Sequence, residues 1–323
     1  MKSAERSLSS ATTEDISDKK DVGSQGQFLE TRHGNIAHDV SCSLEDAVNT
    51  SPSSDRTQDI TLSSISSKLL QYFLVELDPA RADVALIICG FVSGLVDGLS
   101  FNAWGSFSSM QTGNTIFIAL GVSGQPEYPA YLWAKSLLAL AVFLIGNLFF
   151  IHLCRALNPL RRTTLLLSFG LQTAALIIAS SVVQAGIVSP KPEDPRAPIQ
   201  WMQILPITLL AFQAAGQICA SRLLAFDEIP TLVVTTLLCD LLVDTKLYTR
   251  PWSSNLKRNR RIASFLALFL GAMTSGGLSK TTGMASSLWL AVALKGVITV
   301  GWFFWKDSSG RIRPKSFNDE SPV

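Results

Sequence analysis

The chain has 323 residues, 47% hydrophobic and only 16% charged, with a formal net charge of +2. That balance is too apolar for an ordinary soluble protein of this length. The net charge itself decides little, because an acidic N-terminal region masks a basic remainder.

Residues 1–68 form the first block. Met1 to Ser67 holds 15 Ser, 6 Thr, 11 acidic and 6 basic residues, with Phe28 as its only aromatic. Such a segment buries too little apolar surface to offset chain entropy, and it reads as a disordered cytosolic tail. Its first 60 residues hold no apolar run of signal-peptide type, so targeting is expected from the first span. The sequon Asn49-Thr50-Ser51 is silent in a cytosolic tail, and Ser51-Pro52 is a phosphorylation candidate.

Residues 69–306 predict an all-α, polytopic transmembrane bundle. A span needs about 20 apolar residues. Six runs qualify: Val84–Trp104, Leu132–Cys154, Thr164–Ala185, Ile204–Leu224, Ile262–Leu278 and Ser286–Trp305. Two runs are short. Ile116–Val122 gives about 10 Å of helix and Leu232–Val243 about 18 Å. Basic residues arbitrate between six spans and eight, since cytoplasmic loops carry the excess of Lys and Arg. If both short runs dip in and return, Arg155, Arg161 and Arg162, the Lys246–Arg261 segment and the C-terminal basic residues all share the cytosolic side. The loop "SPKPEDPRAP" then faces outside. Both termini are expected in the cytosol. The run "LKRNRR", Leu256 to Arg261, is read as a topology signal and not as a nucleic-acid patch. Residues 307–323 read as a short basic tail.

The plan looks doubled, over 84–186 and 204–305. Gly94 is matched by Gly216 and Thr112 by Thr235 at nearly one offset. Three spans per half imply inverted halves, a design found in transporters.

Polar residues inside the apolar runs are the candidate site. Gly90, Gly94 and Gly98 form a ridge on which a second backbone can pack closely. Asp97 lies beside that ridge at membrane depth, where a carboxylate is costly unless paired, solvated or protonated. Lys295 is too deep to reach either surface easily. It is expected to pair with Asp97 or with Asp240. Gln111, Thr112, Gly113, Asn114 and Thr115 read as a helix break or re-entrant tip, facing a cavity or the matching tip at Thr235 and Thr236. Asn102, Gln213 and Gln217 complete the pathway candidates, and Gly216 joins the packing glycines. Hydrogen bonding between neighbouring helices also accounts for such groups.

Four of the five cysteines, Cys89, Cys154, Cys219 and Cys239, lie in apolar runs; Cys42 does not. None has metal spacing, and His33, His38 and His152 form no cluster. Neither a metal, a cofactor nor a disulfide framework is expected. Zinc, Walker and nucleophile-elbow motifs are missing, so the chain is not expected to be an enzyme.

The elements "GLVDGLSF" and "MQTGNTIFIALG" resemble those of the YoaK-like membrane proteins, a family of unknown function. Gly94, Asp97, Thr112, Gly113 and Asn114 match its Gly-x-x-Asp and Met-Thr-Gly-Asn elements, with Gln111 inserted after the Met. In the second half Gly216, Gln217 and Ala220 match. Cys219 stands where the family has Asn, and Thr235-Thr236 replaces Thr-Gly. The resemblance covers about Leu69 to Lys306. It implies a multi-pass membrane protein and supplies no substrate.

The leading expectation is a secondary transporter or channel-like protein for a small solute or ion, embedded in a lipid bilayer. The second is a structural or regulatory membrane protein whose polar groups are packing glue, and a membrane enzyme ranks last. Homo-oligomerisation is left open, nucleic acid is not expected, and composition does not separate the plasma membrane from internal membranes.

Overall fold

The computed structural model describes residues 67–125, 127, 131–190, 194, 196, 197 and 199–308. The sequon, Ser51-Pro52, His33, His38, Cys42, Arg311, Arg313 and Lys315 lie outside the described residues, as do the readings of the two tails.

Eight helices organise the described chain. They are α1 (Ala82–Trp104), α2 (Gln111–Val122), α3 (Leu132–Leu157) and α4 (Arg162–Gln184), then α5 (Ile204–Leu223), α6 (Val234–Leu242), α7 (Leu256–Thr281) and α8 (Met284–Gly301). Six of these segments are long and apolar enough to cross a bilayer. At 1.5 Å per residue α2 is about 18 Å long and α6 about 14 Å, well short of the hydrocarbon core.

The six expected spans are present, with shifted ends. The largest shift is in α7, which begins at Leu256 and not at Ile262. Lys and Arg are good helix formers, and the Asn255 side chain accepts from the Arg258 N–H to start the helix. The basic run is thus the first turns of a span and not a loop.

The doubling is plain in the fold. The starts of α1 and α5 (82 and 204), α2 and α6 (111 and 234), α3 and α7 (132 and 256), and α4 and α8 (162 and 284) are 122, 123, 124 and 122 residues apart. The packing obeys the same exchange. α1 lies on α7 and α3 on α5, α4 lies on both α5 and α8, and α8 also on α1. Three spans fall in each half, and the third spans, α4 and α8, pack on one another.

Glycine sets the closest of these contacts. A Cβ on Gly94 would overlap the Leu268 carbonyl, and one on Gly271 the Phe91 carbonyl. Gly98 sits on Ala272 and Ser275 a turn further along, and Gly90 faces Ser264 at ordinary contact distance. Small residues let the backbones of α1 and α7 touch, and dispersion between them replaces a hydrophobic driving force that lipid does not supply.

One face is knotted together by the ends of the described chain. Leu77 N–H donates to the Leu160 carbonyl and Asp78 N–H to the Lys306 carbonyl. The buried Arg162 guanidinium donates to the Tyr72 and Trp305 carbonyls and stacks on the Tyr72 ring. Arg260 joins Asp83 at the start of α1 to Glu228 before α6. This terminal face therefore carries the start of α1, the α3–α4 turn, the α5–α6 loop, the start of α7 and the end of α8. Arg155, Arg161, Arg222, Arg250, Lys257 and Arg261 lie toward it. Beyond the spans on this face, Asn255 and the Lys246 N–H hold the Asp244 carboxyl below the usual carboxylate range.

Gly94→Leu or Gly271→Leu is expected to force α1 from α7, at about 1–3 kcal/mol or more. Gly276→Leu, at a position where a Cβ meets nothing, is the control. Melting and size-exclusion profiles in detergent will show loss of the folded peak in the first two variants only.

Candidate functional site

The site is built by two chain reversals. Gly105, at φ 74°, ends α1 in the left-handed conformation that glycine adopts without strain. Residues 105–110 then turn back along α1 to the level of Asp97, seven residues or about 10 Å below the helix end. Asp97 Oδ1 accepts from the Ser108 N–H (2.9 Å), the Ser108 hydroxyl (2.8 Å) and the Ser109 N–H (2.8 Å). Oδ2 accepts from the Ser109 hydroxyl (2.5 Å).

Asn114 clamps the same loop from the α2 side. Its Oδ1 accepts from the Phe107 N–H (3.1 Å) and the Ser106 hydroxyl (3.2 Å). Its Nδ2 donates to the Phe107 carbonyl (2.7 Å) and Gln111 Oε1 (3.0 Å). Irregular backbone survives at this depth because the protein supplies its partners.

The sequence reading placed the break at Gln111–Thr115. The structure moves it to 105–110 and makes Gln111–Thr115 the first turns of α2. The amide of Asn114 does compete for backbone, but for that of the preceding loop. Thr115 bonds back to the Gln111 carbonyl within its own helix. Gly113 has a packing reason, since a Cβ there would lie 2.7 Å from the Phe107 ring.

The second reversal follows α5. Ala225 is left-handed (φ 59°), residues 224–233 run back, and α6 begins at Val234. Both tips open on one cavity of about 450 Å3. Met110, Thr112 and Gly113 line it from the first tip, and Leu232, Val233 and Thr235 from the second, with Phe143 of α3 and Ile218 of α5. Met110 and Val233, the N-cap positions of α2 and α6, provide no capping side chain.

The charges are arranged differently from the sequence expectation. Lys295 pairs with neither Asp97 nor Asp240. Asp97 is filled by the loop. Asp240 is exposed in the last turns of α6, 3.9 Å from Arg261 at the terminal face. Lys295 is fully buried; its Nζ donates to Gln172 Oε1 at 2.6 Å and lies 5.3 Å from the Phe169 ring centroid. Gln172 in turn donates to Ser168. Gln172 and Lys295 thus join α4 to α8, the third spans of the two halves.

Gln217 donates to the Cys89 carbonyl (3.0 Å) and the Ser93 hydroxyl (2.6 Å), tying α5 to α1. Gln213, one turn away, is fully buried and its amide makes no hydrogen bond among the described residues. Gly216 packs on Phe150 and Gln172. Asn102 and Thr236 are exposed and do not line the cavity.

Sequence reasoning missed Ser108, Ser109, Phe143 and Gln172. Gln172 carries no signal of its own in the sequence. The others depend on how the loop folds back. Among the described residues no group of three His, Cys, Asp or Glu side chains is gathered to hold a metal ion.

The arrangement defines a multi-pass α-helical membrane protein with six candidate spans and two short helices. Residues 85–301, more than half of the chain, match the profile of the family described as protein of unknown function (DUF1275). The chain belongs to that family. No curated protein and no solved structure matches it.

Asp97→Ala is expected to destabilise the fold by about 1–3 kcal/mol or more, because the Ser108 and Ser109 N–H groups lose their buried acceptor. A Lys295→Met/Gln172→Leu double variant is expected to stay within about 1 kcal/mol of the parent, since both partners of the buried hydrogen bond are replaced by apolar chains. Melting followed by tryptophan fluorescence checks both. An essential Asp97–Lys295 ion pair predicts equal losses instead.

Proposed function

We propose that the protein is a secondary transporter or channel-like protein for a small solute, with its solute site at the cavity between the two tips. The terminal face, with its excess of arginine and lysine, is turned to the cytosol. One observation carries the reading. Two short helices enter from opposite faces of inverted halves, and their N-terminal ends share one cavity. Irregular backbone at membrane depth belongs where it is packed or lines a cavity, and binding sites of inverted-repeat carriers lie at such broken helices.

At about 450 Å3 the space suits a small organic molecule, at the lower end of the usual range for such sites. Its lining is mostly apolar, with Gln111, Thr112 and Thr235 as polar contacts. The solute is therefore compact and largely apolar, with a hydrogen-bonding end. The buried, unsatisfied amide of Gln213 supports a second packing arrangement, because such a group is costly where nothing bonds it. The reading gives the chain no catalytic step.

A structural role without transport is the second reading. It is favoured by Asp97, whose bonds all go to the 105–110 loop, and by Asn114, whose bonds go to that loop and to Gln111 of its own helix. Purified protein in liposomes separates the two. Uptake of at least one member of a solute panel is expected above protein-free vesicles. Thr112→Trp and Thr235→Trp, each filling the cavity from one tip, are expected to cut it about tenfold or more with unchanged melting. Uptake indifferent to both substitutions, or none for any solute, removes the transport reading.

A further inference from the structure

The α3–α5 contact is the repeat mate of the α1–α7 contact, yet it is built differently. Where glycines press α1 against α7, the rings of Phe149, Phe150 and Phe212 stand between α3 and α5, with centroids 5.0–5.8 Å apart. Toward the terminal face these rings leave a groove of about 520 Å3. Its walls are apolar, with Leu144 and Ile151 from α3 and Ile218 and Leu223 from α5. Leu144, Ile145 and Leu148 beside it are 55%, 66% and 59% exposed, so the groove opens sideways among lipid-facing side chains.

Two guanidinium groups, Arg155 and Arg222, close the end of the groove nearest the terminal face. Arg222 Nη1 bonds Asp227 at 2.9 Å, with both side chains largely exposed. Arg155 makes no ion pair among the described residues, so the corner keeps an excess of positive charge. The repeat does not demand this charge. Arg222 less the 122-residue offset is Ser100, and Arg155 plus the 124-residue offset is Ser279, so the mated positions at the opposite face are neutral.

We propose that this groove binds one anionic glycerophospholipid. An acyl chain lies between α3 and α5, and the phosphate sits between Arg155 and Arg222. An apolar trough that opens into the bilayer suits an acyl chain and no soluble ligand. Two arginines where headgroups lie match a phosphate by charge and by fork geometry. The site faces lipid and does not depend on transport through the central cavity.

Native mass spectrometry of the full chain, released from detergent after incubation with equimolar dioleoyl phosphatidylserine and dioleoyl phosphatidylcholine, tests it. The parent is expected to retain phosphatidylserine about tenfold over phosphatidylcholine. An Arg155→Gln/Arg222→Gln double variant is expected to lose that preference with unchanged melting. A Lys246→Gln/Lys257→Gln variant, which removes the same charge elsewhere on that face, keeps it. Equal retention of both lipids by the parent, or full preference in the arginine double variant, overturns the proposal. Displacement of the lipid by millimolar glycerophosphoserine, which lacks chains, overturns the role of the groove.

Discussion

One buried carboxylate fixes the first half of this membrane domain. A peptide segment cannot lie open at hydrocarbon depth, because each unbonded N–H or carbonyl costs several kcal/mol there. Asp97 meets that constraint by taking two N–H groups and two hydroxyls from Ser108 and Ser109. The loop is thereby held down against α1, and α2 must start deep and climb back to the face where α1 ended. The second half lacks this device. By the Gly94–Gly216 offset the place of Asp97 falls to Cys219, a weak acceptor. The longer stretch 224–233 is anchored instead at the terminal face, where Arg260 holds Glu228.

The two halves repeat an order of helices but pack them with different side chains. Glycine sits where α1 and α7 touch, and aromatic rings sit where α3 and α5 touch. Between α4 and α8 a buried lysine meets a glutamine. Lys295 lies beside an amide, an aromatic face and Cys89, and it does not pair with Asp97. The interior polar groups serve separate ends: Asp97 and Asn114 shape a loop, Gln217 ties α5 to α1, and Gln213 finds no partner among the described residues.

Basic residues at the terminal face bind backbone segments together. Arg258 is fully buried and donates to the carbonyls of Leu247, Thr249 and Trp252, which ends the stretch after α6 in a compact turn. Arg162 does the same for the segment before α1 and the one after α8. A guanidinium has five donors in a fixed fork and can satisfy several carbonyls at once, a task a lysine cannot match. In sequence such residues are indistinguishable from a plain topology signal.

The sequence by itself determined the spans, the shortness of two helices, the doubling and the family. Each rests on local length, on apolar composition or on a fixed offset, and each is a property of one segment read alone or against its copy. Val84–Trp104, Ile204–Leu224 and the Gly94, Thr112 and Asn114 elements needed no partner to be recognised. Only the tertiary structure decided what the polar groups meet. Asp97 is bound to a loop eleven residues on, Lys295 to a helix 123 residues away, and Thr112 shares a cavity with Thr235. Hydrogen bonds and ion pairs act over about 3–4 Å, so their partners are set by the path of the backbone in space. Charge alone pointed Lys295 at the nearest acids, and the fold-back of six residues after Trp104 had already filled one of them.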